Sequence, residues 1–293
     1  MSDFADHLRS VATAIEARLD MLLPHGDAVA EAMRWGSMGG GKRLRGFLVV
    51  ESAALFDVPA DMALNAAAAI ECLHAYSLIH DDLPCMDDDD LRRGRPTVHR
   101  KWDEATAVLA GDALQTEAFA ILADGATHPD ADVRVRLIAA LAHASGQGGM
   151  VGGQAMDIAA ETAGRALTLD EIRGLQALKT GALIRFSAQA GAILGRAGDP
   201  EFRALDRYAD ALGVAFQIRD DLLDVEGDAE AAGKALQKDA DAGKATYVSL
   251  LGVDVARQEA SSLVDSAIAA LAPFGERAGA LADAARFTLA RQT

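Results

Sequence analysis

The sequence is poor in cysteine, in aromatic residues and in basic residues, and each shortage excludes a class of protein. Only two cysteines, Cys72 and Cys85, occur in 293 residues, which excludes a disulfide-stapled secreted scaffold. Lys and Arg total 28 against 44 Asp and Glu, for a formal net charge of −16. Because nucleic acids are bound by clustered Lys and Arg, we expect no nucleic-acid partner.

Long uncharged apolar runs are also missing. No stretch reaches the roughly 18 apolar residues of a membrane-spanning helix. The nearest is 64–79, which contains Glu71 and His74 and runs into Asp81. The first twenty residues carry charge throughout and lack the apolar core of a signal peptide. We therefore expect a cytoplasmic protein without a membrane span.

What the chain has in quantity is helix-forming residues. Apolar residues make up 51% and aromatics only 5%, and Ala and Leu, both strong helix formers, dominate. Apolar positions recur at three- and four-residue steps, the period of an amphipathic helix. The predicted helices cover residues 4–19, 43–56, 61–83, 104–122, 130–145, 154–161, 169–195, 199–225 and two or three segments from 246 onward. With no strand pair, repeat or linker evident, the pattern predicts an all-α, single-domain helical bundle over residues 1–293.

Local signals set the predicted boundaries. Asp61 is the predicted cap of the 61–83 helix, and Thr168 with Glu171 fits a capping box. A bend is expected near Gly181. We expect residues 91–96 to be irregular. Glycines should loosen the chain over residues 146–153, and residues 227–243 are predicted to form a mobile loop.

Six carboxylates fall within residues 81–90, whose sequence is DDLPCMDDDD. They follow the apolar stretch 66–79, so Asp81 and Asp82 should end a buried helix, whereas an ordinary acidic loop would lie on a solvated surface. Leu83, Pro84 and Met86 are also unusual in a solvated run. Carboxylates whose repulsion a divalent cation relieves are good oxygen ligands for Mg²⁺. His74 precedes Asp81 by two helical turns and shares its face.

A second acidic cluster, DDLLD, contains Asp220, Asp221 and Asp224. Asp220 and Asp224 are four residues apart and share one helical face, where like charges repel unless a cation bridges them. Apolar neighbours such as Phe216 and Leu222 indicate a mostly buried helix. If this helix faces the first cluster, metals could be held against one diphosphate from both sides.

Basic groups occur at three further places. The segment GGKRLR (residues 40–45) sits at a helix start, where backbone N–H groups and Lys or Arg suit an anion. Lys179-Thr180-Gly181 lies mid-helix among apolar residues. Lys234, Lys238 and Lys244 punctuate the predicted loop and are placed to close over a bound diphosphate.

Taken together, these motifs resemble the trans-isoprenyl diphosphate synthases. The matching segments are GGGKRLR, DDLPCMD, LRRGRPTVH, GGQAMD, LKTGALI, FQIRDDLLD and GKATY, in the family's order and over nearly the whole chain. The likeness is greatest to the bacterial farnesyl diphosphate synthases, which have four residues between the second and last Asp of the first motif. Gln237 departs from the family, where many members have Gly.

The resemblance implies a fold of the isoprenoid synthase type, a polyprenyl synthetase domain with a central cavity between long helices, and a set of roles. Three Mg²⁺ ions, which Mn²⁺ may replace, are expected on Asp81, Asp82, Asp87, Asp220, Asp221 and Asp224. The allylic diphosphate is expected to contact Arg92, Lys179, Thr180, Gln217, Lys234 and Lys244. Isopentenyl diphosphate is expected to bind, without metal, to Gly41, Lys42, Arg45, His74 and Arg93. The family also implies a homodimer.

Product length should depend on Tyr76 and Ser77. Tyr76 lies five residues before Asp81, roughly 7–8 Å along a helix, although about 140° around it. In similar enzymes a bulky residue there stops growth at fifteen carbons, so we expect farnesyl diphosphate, with geranyl or geranylgeranyl diphosphate as alternatives. A class I terpene cyclase and a non-catalytic synthase subunit are the competing functions. A cyclase would not need the second basic pocket, and such subunits tend to have degraded aspartate motifs.

Overall fold

The computed structural model describes residues 2–161, 165–226 and 246–291. Its first half contains seven helices and a short β-ribbon among the residues described. The helices are α1 (Ser2–Leu22), α2 (Ala28–Ser37), α3 (Leu44–Ala54), α4 (Ala60–Asp81), α5 (Val98–Lys101), α6 (Glu104–Ala123) and α7 (Ala131–Ser145). The ribbon pairs β1 (Leu91–Arg92) with β2 (Arg95–Pro96) in antiparallel register.

The described part of the second half is helical as well. It contains α8 (Met150–Glu161), α9 (Leu169–Gln176), a π-helical turn (Ala177–Gly181), α10 (Ala182–Leu194) and α11 (Asp199–Glu226). After the gap come α12 (Tyr247–Leu251), α13 (Val253–Ala270), a 3₁₀ segment (Ala272–Ala278) and α14 (Gly279–Ala290).

Helix α4 is the central element because it is apolar on every side. Its residues 66–70 are fully buried, as expected of a helix without a polar face. It packs against α3 and α6, while α10 packs against α3, α7 and α11, and α11 packs against α13. The main core contains residues from Leu8 to Ala285 and so joins both halves of the chain.

A smaller apolar cluster lies beneath the carboxyl-terminal end of α11. It joins Ile218 and Leu222 of α11 to Ile172 of α9, Tyr247 of α12 and Ala256 of α13. This cluster orients the last turns of α11, which carry the second group of aspartates.

Most predicted helices are present, and the differences have local causes. The capping box at Thr168 is confirmed, with side chain and backbone bonds to Glu171 in both directions. The prediction that Asp61 caps α4 is wrong: α4 begins at Ala60 after Pro59, and Asp61 in its first turn pairs with Arg18 instead.

Two further predictions about irregular segments need correction. Residues 91–96 were expected to lack strands, but Leu91 pairs with Pro96 and Arg92 with Arg95. Two residues at positive φ, Arg93 (53°) and Gly94 (72°), form the connecting turn, the geometry of a tight hairpin. Residues 146–153 were expected to be loosened by their glycines, but the chain is already helical from Met150.

Among the described helices, α4 alone is long and apolar enough to cross a membrane by length and composition. However, 72% of its apolar window is buried inside the protein. Burial among other helices identifies α4 as a core helix of the bundle.

Candidate active site

The first acidic cluster is formed where the chain folds back after α4. Asp81 is the last residue of α4 and Asp82 follows it as the C-cap. The backbone N–H of Asp87 donates to the carbonyl of Asp81 (2.8 Å), and that of Asp89 donates to the carbonyl of Asp82 (3.2 Å). The return of the loop therefore brings Asp87 beside Asp81 and Asp89 beside Asp82.

Charge is concentrated at Asp81. Burial, together with the negative charges of Asp87 and Asp82, raises the pKa of this carboxyl to about 6, although Lys179 and Arg92 oppose the shift. A carboxylate that is destabilised by burial and by like charges is stabilised by a cation placed against it. Asp81 therefore has the surroundings of a cation ligand.

The β-ribbon brings two arginines to this cluster. Arg92 Nε donates to Asp82 Oδ1 at 2.7 Å, and its Nη2 lies 3.7 Å from Asp89. Arg93, in the turn, donates through Nη1 to the carbonyl of Gly40. A Cβ at Gly41, whose φ is +109°, would lie 2.6 Å from the Arg93 guanidinium, so this close approach requires glycine.

A π-helical turn places Lys179 and Thr180 opposite the first cluster. The Lys179 ammonium lies 2.6 Å from Asp157 Oδ2 on α8, and its charge lowers the pKa of Asp81. The Thr180 hydroxyl lies 3.2 Å from Gln217 Oε1 on α11. Such π-turns are frequent at functional sites, and this one points two polar side chains toward Asp81 and α11.

Two neighbouring aspartates of the second cluster have different surroundings. Asp220 is 2.7 Å from Arg291 Nη2. Asp221 is buried, and its oxygens accept from Gln217 Nε2 (2.9 Å) and from the backbone N–H of Tyr247 (2.8 Å). The bond from Tyr247 ties α11 to α12. The contacts of Asp221 are those of a side chain that orients the cluster, and its predicted role as a metal ligand stays a prediction.

The predicted second basic pocket assembles at the start of α3. Arg45 Nη1 and His74 Nε2 are 3.2 Å apart. Burial, followed by the charge of Arg45 and the other nearby arginines, holds the pKa of His74 well below its usual value. His74 is therefore neutral at pH 7, so its Nε2 accepts from the Arg45 guanidinium. Lys42 lies nearby. Burial and the charge of Arg291 lower its pKa, and the opposing effect of Asp220 is smaller.

A buried ion pair supports this pocket from below. Arg43, which has a left-handed φ of 50°, lies 3.3 Å from Glu71 of α4 and 3.1 Å from Glu16 of α1. Glu71 also accepts from the backbone N–H of Gly46 at 2.9 Å. Glu71 thus caps the first turn of α3 from a neighbouring helix and fixes the direction of Lys42 and Arg45.

A cavity of about 380 Å³ begins at these polar groups and continues between the helices. Asp81, Lys179, Thr180, Arg45 and His74 lie at its polar end. The rest of the wall is formed by Tyr76, Ser77, Leu78, His80, Met86, Met150, Val151, Gln154, Ala155, Ile158 and Leu183. A cavity lined both by charged groups and by many apolar side chains fits a ligand with an anionic head and a hydrocarbon tail.

The second acidic cluster reaches the same cavity. Asp220 acts electrostatically on Arg45, which lines the wall. Gln217, one turn before Asp221, bonds to Thr180, which also lines it. The structure therefore brings α4, the π-turn, α3 and α11 together around one polar opening.

The comparison with known proteins agrees with this geometry. A model of the polyprenyl synthetase family matches residues 27–275. The chain belongs to this family. It is 50% identical over 253 residues to a farnesyl diphosphate synthase of Escherichia coli (strain K12), covering 85% of this chain and 83% of that protein.

Other relatives extend the match over nearly the whole chain. A farnesyl diphosphate synthase of Haemophilus influenzae is 42% identical over 295 residues, covering 97% of this chain and 98% of that protein. The crystal structure of an FPP/GFPP synthase from Zymomonas mobilis superimposes with a TM-score of 0.89 at 49% identity, covering 98% and 99% of the two chains. The predicted all-α isoprenoid synthase fold is confirmed.

Divalent-metal dependence is general among synthases of this family. Among the described residues, no three His, Cys, Asp or Glu side chains form a metal cluster by themselves. Mg²⁺ nevertheless fits the donors that are present, because it is held in proteins by one or two carboxylates together with substrate phosphates. The raised pKa of Asp81, caused first by burial and then by the neighbouring carboxylates, points to the same conclusion, since a cation placed against Asp81 would stabilise its charged form.

Several residues at this site were not predicted from the sequence. Asp157 closes the GGQAMD segment, yet nothing in its spacing shows that it meets Lys179. Gln154 Oε1 is buried in the cavity wall with no hydrogen-bond partner among the residues described. Arg291 is 71 residues from its partner Asp220. The predictions for Lys234, Lys244 and the loop 227–243 lie outside the described residues, as does Gln237.

Proposed function

We propose that this polyprenyl synthetase is a farnesyl diphosphate synthase, which condenses isopentenyl diphosphate with dimethylallyl and then geranyl diphosphate. The observation that carries the proposal is the cavity of about 380 Å³, which is lined by the Asp81 carboxylate, by the cations Arg45 and Lys179, and by many apolar side chains. The names of the relatives from Escherichia coli and Haemophilus influenzae support the same activity.

The allylic diphosphate binds at the acidic opening. Asp81, Asp82 and Asp87 of the first cluster, with Asp220 and Asp224 of the second, would hold Mg²⁺, three ions in all, for which Mn²⁺ can substitute. When bound, these ions neutralise the diphosphate and make it a better leaving group. Arg92 and Lys179 contact the same diphosphate, and Lys234 and Lys244 are proposed to join them.

Isopentenyl diphosphate binds in the basic pocket without metal. Lys42, Arg45 and Arg93 supply positive charge there, and Gly41 lets the Arg93 guanidinium approach the backbone. Neutral His74 accepts from Arg45, which fixes the direction of that guanidinium. The pocket lies beside the polar end of the cavity, so the two substrates meet there.

The chain's own side chains then orient the reaction. The C–O bond of the allylic substrate breaks, and its electrons leave with the diphosphate. Thr180 and Gln217, bonded to each other, lie beside the resulting allylic cation, and the apolar wall keeps water away from it. The double bond of isopentenyl diphosphate attacks to form the new C–C bond, and the proton lost from the adduct passes to the departing diphosphate.

Two alternative functions share this fold and chemistry. A terpene cyclase needs a single diphosphate site, whereas Lys42, Arg45 and His74 form a second basic pocket in this chain. A non-catalytic subunit would tolerate degraded aspartate motifs, and both motifs here are intact. The geranyl and geranylgeranyl products remain outcomes of the test below.

The remaining proposals concern the whole protein. We propose one domain over residues 1–293, supported by a main core that joins α1 to α14. We also propose a cytoplasmic homodimer that acts on small isoprenoid diphosphates, as the family implies. The net charge of −16 supports the proposal that it binds no nucleic acid.

A direct assay tests the function. The purified chain is incubated with Mg²⁺, isopentenyl diphosphate and dimethylallyl diphosphate, and the products are identified by mass spectrometry. We expect farnesyl diphosphate, and no product after chelation of the metal. Asp81→Asn and Asp220→Asn should each lower turnover by at least ~100-fold, the scale of losing one electrostatic stabiliser in an active site.

The control variant is Asp265→Asn, an exposed carboxylate on α13 far along the chain from both clusters. It should keep full turnover, and circular dichroism should show unchanged helix content in all three variants. Full activity in Asp81→Asn, or a cyclic hydrocarbon formed without isopentenyl diphosphate, would refute the assignment.

A further inference from the structure

Trp35, on α2, is packed between two cations and bonded to the β-ribbon. The Arg95 guanidinium carbon lies 3.5 Å from the centre of its ring system, and the Lys101 ammonium lies 3.8 Å from it. Its indole Nε1 donates to the carbonyl of Pro96 at 2.9 Å. Both residues of strand β2, Arg95 and Pro96, are therefore held by this one side chain.

Strand β2 is the support of the two arginines that face the diphosphate sites. It pairs with β1 in the register Arg92 to Arg95 and Leu91 to Pro96. Arg92 lies in β1, and Arg93 lies in the turn between the strands at a φ of 53°. A ribbon of two residues per strand has little stability of its own, so its position depends on what holds β2.

The two arginines depend on this support to different extents. Arg92 has its own anchor, because it bonds to the buried Asp82 through Nε at 2.7 Å and lies 2.6 Å from it through Nη2. Arg93 is exposed, and it donates a hydrogen bond to a backbone carbonyl, that of Gly40. Movement of the ribbon should displace Arg93 more than Arg92.

The backbone next to Trp35 is shaped for the same contact. A Cβ at Gly39 would lie 2.7 Å from Arg95 Nη1 and 3.3 Å from the carbonyl of Trp35. Gly39 therefore lets Arg95 lie flat on the indole, and the segment that continues to Gly40 and Gly41 meets Arg93. The glycine run 39–41 therefore leaves room for Arg95 of β2 and for Arg93 in the turn.

We propose that Trp35 is a positioning residue that holds the β-ribbon and thereby sets the affinity for isopentenyl diphosphate through Arg93. The proposal rests on the proposed function for the identity of the ligand. Trp35 itself touches neither substrate. Because Arg92 is anchored independently, the allylic diphosphate is affected less.

The test compares Trp35→Leu, which removes the aromatic faces, with Trp35→Phe, which keeps an aromatic face but removes the indole donor. We expect Trp35→Leu to raise both the KM and the calorimetric Kd for isopentenyl diphosphate by ~3- to 10-fold, the worth of a cation–π contact. The KM for geranyl diphosphate and kcat should change by less than about twofold. Trp35→Phe should lie between wild type and Trp35→Leu.

The matched control is Trp102→Phe. Trp102 is the chain's other tryptophan and contacts Trp35 edge-on, with ring centres 6.1 Å apart. The ring contacts described for Trp102 are with Trp35 and Lys101 and not with β1 or β2, so its loss should leave both affinities unchanged. A purely structural role of Trp35 would instead lower the melting temperature and kcat without separating the two substrates.

The calorimetric Kd is measured without turnover, so this test can be separated from the assay of the proposed function. If the wild-type chain binds isopentenyl diphosphate but does not turn it over, the proposed function fails while the Kd comparison still decides the role of Trp35. An unchanged Kd in Trp35→Leu, or an equal loss for both substrates, overturns the proposal. Should Trp35→Leu fail to fold, the ratio of the two KM values in Trp35→Phe decides in the same way.

Discussion

Neighbouring aspartates in this protein have different tasks because their contacts differ. Asp82 is buried and bonded to Arg92, whereas Asp81 lines the cavity with a pKa raised to about 6, chiefly by burial. Asp221 bonds to the backbone of Tyr247 while Asp220, beside it, pairs with Arg291. Asp82 is thus tied to the β-ribbon and Asp221 to the start of α12, whereas Asp81 lines the cavity and Asp220 pairs with the arginine that follows α14.

The low pKa of His74 makes stability depend on pH. The folded protein keeps His74 neutral because it is buried and because Arg45 of α3, Arg43 just before α3, and Arg92 and Arg93 of the ribbon act on it electrostatically. As pH falls below the ordinary histidine pKa of about 6.5, the unfolded chain gains a proton that the folded chain does not. The free energy of unfolding should therefore fall by up to ~1.4 kcal/mol per pH unit.

Urea unfolding of wild type and His74→Gln at about pH 7.5 and about pH 5.5 measures this effect. The glutamine variant should lose less stability between the two conditions, because its amide does not titrate. His25→Gln, which changes an exposed histidine, should behave as wild type. Equal acid sensitivity of His74→Gln and wild type would contradict the prediction.

Tyr76 is predicted to limit product length. Its side chain is buried and lines the cavity below Asp81, with its ring edge-on to His80 at 5.6 Å. Tyr76→Ala should lengthen the cavity and shift the product to twenty carbons or more, measured by mass spectrometry. Ile79→Ala is the control: Ile79 is also buried on α4 but does not line this cavity. It should cost stability, about 2–5 kcal/mol, without changing the product.

At the scale of elements, the site depends on close contact between α8 and the π-turn. A Cβ at Gly153 of α8 would overlap the backbone nitrogen of Lys179. Because backbone cannot move aside as a flexible side chain can, the two segments approach closely only if residue 153 is glycine. This approach sets the distance from which Lys179 reaches both Asp157 and Asp81.

Gly153→Ala should therefore displace the π-turn. We expect a loss of about 1–3 kcal/mol in the free energy of unfolding, as for overpacked cores, and a larger loss in kcat than in stability. Chemical unfolding and steady-state kinetics measure the two. Gly174→Ala in α9, where a Cβ meets nothing within 4 Å, should instead stabilise by about 0.5–1 kcal/mol. Normal kinetics in Gly153→Ala would refute the role of this contact.

The β-ribbon shows why some elements escape sequence reasoning. Its strands are two residues long and contain Arg, Leu and Pro, so no alternation of apolar and polar residues marks them. The longer helices, by contrast, were predicted to within a few residues at most ends because their apolar period repeats over several turns, whereas the shorter α2 and α5 were not predicted. Helix α4 begins at Ala60 and not after Asp61 because Pro59 occupies the cap position.

At the scale of the whole molecule, α6 presents an apolar surface to solvent. Val108 is 40% and Leu109 53% exposed, and Ala105 lies on the same face. We predict that this face contributes to the homodimer that the family implies. Sedimentation should give about twice the chain mass of 30.6 kDa, and Leu109→Asp should shift the protein toward monomer.

Val255→Asp provides the control for that experiment. Val255 of α13 is also 53% exposed but belongs to another surface, so its substitution should leave the assembly unchanged. A monomeric wild type, or a Leu109→Asp variant that still sediments as a dimer, would exclude α6 from the interface.

The sequence by itself determined the helices, the two acidic clusters and the two-turn spacing between His74 and Asp81, because each depends on neighbours within a few residues. Only the tertiary structure decided that Lys179 meets Asp157, that Glu71 caps α3 and that Arg291 reaches Asp220. These contacts join residues from 22 to 71 positions apart. Local periodicity does not show which helices pack together, because packing depends on how the faces of all the helices fit one another.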